Sequence, residues 1–217
     1  MKFSIRSGSK KINIPTPVVT RLCRIYNLLD ELEQNGDKII SSKDIGNRLN
    51  IRSHNIRKDF SYLMEKGTTG SGYDISRLKS HISNILGFDQ ERKACVVGLD
   101  KLGMSIMNYV KLLSNPFKIV AGFDPSINRV ETVKTDIPVY LTHEIPEIVN
   151  REGIEFALVT VPVKNVKETA RRLVDGGIKG IINFSPTSLS IKNDNVFVRN
   201  IDLLGEFRIL SAMHSLK

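Results

Sequence analysis

Cys95-Val96-Val97 form a short apolar run into Gly98, and Gly103 follows five positions later. This spacing suits a loop that cradles the diphosphate of a dinucleotide. The first glycine allows the tight turn, the last lets a helix sit close on the strand, and the helix N-terminus faces the anion. The middle position of that pattern holds Asp100 in place of glycine. A carboxylate there faces two phosphates. At an effective dielectric near 20, like charges about 5 Å apart repel by roughly 3 kcal/mol, or about two decades in affinity. Lys101, the next residue, is the cation placed to offset part of this. A second piece of the same chemistry is Asp124, 26 residues after Gly98 and at the end of the apolar run FKIVAGFD. An acidic residue there grips a ribose diol and favours NAD over NADP. The alternative for Asp124 is a turn cap ahead of Pro125.

Such a loop needs a parallel sheet behind it. From Lys93 onward, strand-like and helix-like segments alternate. The strands are ACVVG, FKIVAGFD, IPVYL, FALVTVP, KGIINFSP and VFVRN. The helix after Gly103 carries Met104, Met107, Val110 and Leu113 as its stripe. Others run from Pro146 to Glu152 and from Asn165 to Gly176. Apolar strands joined by helices argue for an α/β, Rossmann-type parallel sheet with right-handed crossovers. Ligands of such sheets bind outside the carboxyl ends of the strands. The candidate cofactor residues are therefore Gly98, Leu99, Asp100, Lys101, Leu102, Gly103, Asp124, Thr160, Val161, Pro162, Asn183 and Phe184.

The N-terminal part points to different chemistry. The chain of 217 residues has a formal net charge of +9. Residues 1–85 carry 15 Lys and Arg against 8 Asp and Glu, while the rest carries 17 against 15. A basic excess confined to one region suits a polyanion partner. Pro15 and Pro17 open a helix whose stripe is Leu22, Ile25, Leu29 and Leu32, ending at Asn35-Gly36. Ser41-Ser42 starts a short helix with Ile45 and Leu49 inward. Asn50-Ile51-Arg52 makes a turn, and Ser53 is expected to cap the next helix. In that helix Ile56, Phe60 and Leu63 share one face, while His54, Asn55, Arg57, Lys58, Ser61 and Tyr62 lie opposite. A short helix, a tight turn and a longer cationic helix make a helix-turn-helix, whose second helix enters the major groove. Arg57 suits guanine or a phosphate, and Lys58 suits a phosphate. GTTGSGYD, from Gly67 to Asp74, has the glycines of a tight hairpin. Behind a recognition helix, that hairpin reads as a wing, and the alternative is a flexible linker. The candidate DNA contacts are Ser53, His54, Asn55, Arg57, Lys58, Ser61, Tyr62, Lys66, Thr68 and Thr69. A helix with Ile75, Leu78, Ile82, Ile85 and Leu86 inward then ends at Gly87, with His81 on its polar side.

The remaining composition narrows the class. Hydrophobic residues make 41% and charged residues 25%, the balance of an ordinary globular chain. No apolar run is long enough to span a membrane, and the polar, basic N-terminus lacks a signal-peptide core. The two cysteines, Cys23 and Cys95, lie in no metal or redox spacing and suit buried thiols in a reducing cytoplasm. No metal cluster, P-loop or catalytic triad pattern stands out, and His81 and His143 lack evident acid/base partners. A binding protein fits these residues better than an enzyme.

The whole pattern resembles the Rex family of redox-sensing transcriptional repressors. The residues that carry the resemblance are Arg21-Leu22, IRKDFSYL from Ile56 to Leu63, the wing GTTGSGY from Gly67 to Tyr73, and ILG from Ile85 to Gly87. Val97-Gly98, Asn108-Tyr109, Phe123-Asp124, TVP from Thr160 to Pro162, GIKGIINFSP from Gly177 to Pro186, and RNIDL from Arg199 to Leu203 complete the set. The likeness covers residues 14 to 215 in order. It implies a basic tail at 1–13, a winged-helix DNA-binding domain at 14–87, a Rossmann NAD(H)-binding domain at 88–201, and a C-terminal helix at 202–217 swapped onto a partner subunit. Phe207 and Leu210 would anchor that helix. It further implies a homodimer on a palindromic operator that NADH releases and for which NAD+ competes. Two positions depart from the family. Asp100 replaces the middle glycine, which weakens or alters NAD(H) sensing. Asn27 replaces an arginine of an interdomain switch whose other members match Tyr109 and Asp202. Two further readings use the same residues: a Rossmann-fold NAD- or CoA-binding enzyme, and a ligand-independent DNA-binding repressor.

Overall fold

A computed structural model describes residues 2–7, 10–63, 72–112 and 116–216. The chain divides into two compact units, Met1–Gln90 and Glu91–Lys217.

The first unit begins with two antiparallel strands, β1 (Lys2–Ser7) and β2 (Lys10–Pro15), where the sequence suggested only a basic tail. Helix α1 (Thr16–Gln34) follows, with Pro17 in its first turn, where a missing N–H costs nothing. Its stripe Leu22, Ile25, Leu29 and Leu32 is buried as the periodicity requires, joined by Val18 and Leu28. Two-residue strand β3 (Ile39–Ile40) pairs antiparallel with β4 (Tyr73–Asp74). Between them lie α2 (Ser42–Leu49) and α3 (Ser53–Tyr62). Ser41 caps α2 by accepting the Asp44 N–H. The α2–α3 turn closes at Asn50, at φ 53°, a left-handed conformation that asparagine tolerates. Ser53 is not the cap of α3. Arg52 holds that position without a side-chain bond, and Ser53 is the first helical residue. Asp74 caps α4 (Ile75–Leu86) by accepting the Arg77 N–H at 2.8 Å. Ile56, Phe60, Ile75, Leu78 and Ile82 complete a single core with α1. His81 is half-buried rather than fully solvated. Most of the expected wing, including Lys66, Thr68 and Thr69, lies outside the described residues; β4 pairing with β3 marks where its second arm would enter.

The second unit holds β5 (Arg92–Val97), α5 (Lys101–Leu112), β6 (Phe117–Asp124), α6 (Ile127–Thr132), β7 (Val139–Leu141), α7 (Ile145–Glu152), β8 (Phe156–Val159), α8 (Val163–Asp175), β9 (Gly180–Asn183), β10 (Phe197–Asn200) and α9 (Leu203–Ser215). All strand pairs are parallel, in the order β10-β9-β8-β5-β6-β7. This is a six-stranded doubly wound sheet. Its order reverses between β5 and β8, the place where such sheets bind ligands. Cys95, Val97, Ala121, Phe123, Ala157, Val159 and Ile181 form the sheet's share of the main core, under α7 and α8. Met107 of α5 packs with Val96, Leu99 and Ile119 in a smaller cluster. Leu113 of the expected α5 stripe lies outside the described residues. Helix α6 had no counterpart in the sequence reading, because its six residues bury none of their side chains and so show no apolar stripe.

Candidate functional site

In the first unit the candidate DNA surface is built on α3. Its inward residues fix its rotation: Ile56 and Phe60 are in the core, and Phe60 meets Tyr73 edge to face at 4.8 Å. The third inward residue is charged. Asp59 is 1% exposed and receives a bidentate bond from Arg21 of α1, with Nε to Oδ2 at 2.6 Å and Nη2 to Oδ1 at 2.7 Å. That fork ties α3 to α1, and the bond to Asp59 holds the Arg21 pKa above its usual value. The sequence reading missed this pair, although Arg21 and Asp59 both lie in segments it singled out. His54, Arg57, Lys58 and Ser61 are left exposed on α3, while Ser53, Asn55 and Tyr62 are half-buried. Arg57 also reaches Ser42 at the start of α2, Nη1 to Oγ at 3.3 Å. Arg57 thus sits beside the α2 N-terminus. Asn27 is exposed on α1, in a shallow groove with Arg24, Leu28, Glu31, Arg48 and Leu49.

In the second unit the β5–α5 loop is a glycine turn. Gly98 stands at φ 95°, and a Cβ there would lie 2.9–3.1 Å from Thr160. A Cβ on Gly103 would lie 1.8 Å from the Gly98 carbonyl oxygen, so no side chain fits at either position. Thr160, at the end of β8, holds the loop from the other side of the switch point. Its hydroxyl donates to the Gly98 carbonyl at 2.7 Å, with the Val97 carbonyl also within reach at 3.2 Å. Val161 is buried, Pro162 exposed. Asn183 is fully buried and turned into its own loop, with Nδ2 donating to the Thr187 carbonyl and to Asn200 Oδ1, each at 2.8 Å. Phe184 is half-buried, and Lys101 and Leu102 are exposed at the start of α5. Tyr109 is exposed on α5, and Asp202 caps α9 by accepting the Gly205 N–H at 2.8 Å.

The charges of this loop are arranged around a residue the sequence reading passed over. Arg129 of α6 lies with Nη1 2.6 Å from Asp100 Oδ1 and with Nε 3.5 Å from Asp124 Oδ2. Nη1 also donates to the Leu99 carbonyl at 3.0 Å. The cation that answers Asp100 is thus Arg129, not the neighbouring Lys101. Asp124 meanwhile faces inward. Its side chain is 5% exposed, Oδ2 accepts the Leu99 N–H and Oδ1 accepts the Ser126 N–H, both at 2.9 Å. These bonds make it the clamp between the β5 and β6 loops. The glycine turn, the short loop and the helix start have the form that holds a diphosphate, and Arg129 and Asp124 lie beside them.

Comparison with known proteins covers both units. The family model "Putative DNA-binding protein N-terminus" matches residues 13–61, and "CoA binding domain" matches residues 89–187. The chain is 34% identical to the redox-sensing transcriptional repressor Rex 1 of Thermotoga maritima over 91% of this chain and 94% of that one. It is 38% identical to the redox-sensing transcriptional repressor Rex of Oenococcus oeni over 88% of each. Among solved structures, RSP, a Rex-family repressor, in complex with NAD+ and operator DNA has a TM-score of 0.83 at 29% identity, covering 93% of this chain and 92% of that one. RSP in complex with NADH has a TM-score of 0.81 at 27% identity, covering 94% and 99%. The chain belongs to the Rex family of redox-sensing transcriptional repressors.

Proposed function

We propose that this chain binds a palindromic operator as a homodimer in the cytoplasm and that the NADH/NAD+ ratio sets how much operator it holds, through a loop weakened for dinucleotides by Asp100. The observation that carries the reading is the fold match, across both units, to a repressor solved with NAD+ and operator DNA. The local geometry supports it: α3 presents His54, Arg57, Lys58 and Ser61, and the Gly98–Gly103 turn has no room for side chains at its two glycines. Lys66, Thr68 and Thr69 belong to the same proposed DNA surface. Asn27, Tyr109 and Asp202 are the proposed switch positions, and the missing arginine at Asn27 alters how one site reports to the other.

The dinucleotide supplies two phosphates and an adenosine that the loop reads. The backbone at Gly98–Gly103 and the N-terminus of α5 would hold the diphosphate. Arg129 keeps Asp100 from facing that diphosphate as a bare charge, and Thr160 fixes the loop.

Dimer formation by exchange of α9 draws support from two exposed apolar surfaces. Leu203, Leu204, Phe207, Leu210 and Met213 of α9 are 60–67% exposed, far more than a single chain leaves in water without a partner. One face of the sheet, lined by Ile119, Phe156, Ile182 and Phe197, forms an apolar groove of about 470 Å³. The occupant we assign to these surfaces is a second copy of this chain.

The direct test is fluorescence anisotropy on a palindromic duplex with half-sites about one helical turn apart, at several salt concentrations. Specific binding with a steep salt slope is expected. Failure to prefer the palindrome over random duplex would contradict the reading. No helix among the described residues is long and apolar enough to cross a membrane.

A further inference from the structure

Resting on the proposal that α3 binds operator DNA, we propose that the N-terminal hairpin β1–β2 is a second DNA-binding element, a cationic ribbon that lies along the phosphate backbone beside the recognition helix. The family model for the DNA-binding N-terminus begins at residue 13, so it leaves the hairpin without a role. Residues 1–29 hold six Lys and Arg and no Asp or Glu. Four of those cations, Lys2, Arg6, Lys10 and Lys11, fall in the two strands, where no carboxylate of the hairpin can neutralise them.

The register sorts these residues onto two faces. Successive residues of a strand alternate between faces, and directly paired residues of antiparallel strands share one. The pairs Phe3–Ile14 and Ile5–Ile12 place four apolar residues on one face. Ile14, 1% exposed, belongs to the core that also holds Ile56 and Phe60 of α3. The pairs Ser4–Asn13 and Arg6–Lys11, with Lys2 opposite Pro15, make the other face cationic and polar. Arg6 and Lys11 stand directly across from each other. Like charges so paired destabilise a ribbon in water, and a row of phosphates offsets that repulsion. The hairpin is also in reach of the DNA surface. β2 runs straight into α1, whose Arg21 forks onto Asp59 of α3. Only about 8 Å of helix separates the end of the hairpin from that fork. Each six-residue strand spans about 20 Å, enough to extend past α3 to neighbouring phosphates. Ribbon and recognition helix belong to the same compact unit, and that placement favours DNA over an anionic membrane.

Fluorescence anisotropy of the full chain on the palindromic duplex, across a salt series, tests this. Replacing Lys2, Arg6 and Lys11 together by Gln is expected to lower the log–log salt slope by about three, close to one for each lost phosphate contact. Binding at moderate salt should weaken by about tenfold or more. Lys10→Gln, which removes a cation from the opposite face, should leave the slope nearly unchanged. Circular dichroism confirms that the variants fold, and hydroxyl-radical footprinting should show protection lost over a few nucleotides in each half-site of the triple variant. An unchanged slope and footprint in the triple variant overturn the inference and leave the operator reading intact. So does a loss from Lys10→Gln as large as that from Arg6→Gln alone, which would report net charge and not a face. If the operator slope is unchanged while the triple variant loses cosedimentation with phosphatidylserine–phosphatidylcholine vesicles, the face belongs to a membrane and the inference falls. A natural chain that binds no duplex overturns both readings.

Discussion

At the scale of single residues, Asp100 acts through Arg129. A bare carboxylate in the loop would repel a diphosphate strongly, but the pair at 2.6 Å removes much of that charge. The two residues should therefore be coupled. Arg129→Ala is expected to weaken NADH binding in the natural chain and to do much less beside Asp100→Gly. The coupling should be about 1 kcal/mol in a double-mutant cycle measured by calorimetry. The glycines carry a different kind of demand. Gly103→Ala would drive a Cβ to 1.8 Å from the Gly98 carbonyl. It is expected to cost about 2 kcal/mol of stability in urea titration and to abolish nucleotide binding. Cys95, fully buried, has its thiol pushed up to about 12 by burial. It should resist alkylation at pH 8 until the chain unfolds, as read by thiol labelling with and without urea. Of these residues, the two glycines and Asp100 were legible from spacing alone. Arg129 was not, because its role depends on a short helix with no apolar period that folds it back over the loop.

At the scale of elements, the orientation of α3 rests on a charge as well as on its stripe. Arg21 and Asp59 lie 38 residues apart, and only the crossing of α1 and α3 brings them together. Periodicity marks Ile56 and Phe60 as inward but gives no signal for a buried carboxylate between them, because it counts apolar residues only. Arg21→Ala leaves Asp59 buried without its cation and is expected to lower stability by about 3 kcal/mol in urea denaturation, with operator binding lost in parallel. Three segments of the sheet meet in a similar way at Glu155, which accepts from Lys179 Nζ at 2.7 Å and from Arg92 Nη1 at 3.0 Å. The Lys179 bond, more than the Arg92 one, holds the Glu155 carboxyl below the usual carboxylate range. A depressed carboxylate stabilises the fold above its unfolded pKa and loses that contribution as pH falls through the folded value. Glu155→Gln should therefore cost about 2 kcal/mol near pH 7 and progressively less toward pH 3, read as converging melting temperatures. The parallel sheet itself was legible as alternating apolar runs and helices, since strands buried on both faces leave continuous apolar stretches. Element ends were less so. Ser53 looked like a cap by its type, but the backbone turns one residue earlier, at Arg52.

At the scale of the whole molecule, α9 is the proposed seat of the dimer. Its apolar residues Leu203, Phe207 and Leu210 are all more than 60% exposed in the single chain, the exposure that a second copy would cover. A chain ending at Asp202 is expected to lose the dimer in light scattering. Its operator affinity should drop by a hundredfold or more, because each half-site would then be bound alone. Sequence places the basic excess in residues 1–85 and the sheet from Lys93 onward, and the chain splits into two compact units after Gln90. The relation between DNA and nucleotide is the claim that spans both units. It is tested most directly by displacing a fluorescent operator with NADH, side by side for the natural chain and Asp100→Gly. The account predicts release in both, with the midpoint NADH concentration at least tenfold lower for Asp100→Gly. Equal midpoints, or an operator complex that NADH leaves untouched in both proteins, would contradict it.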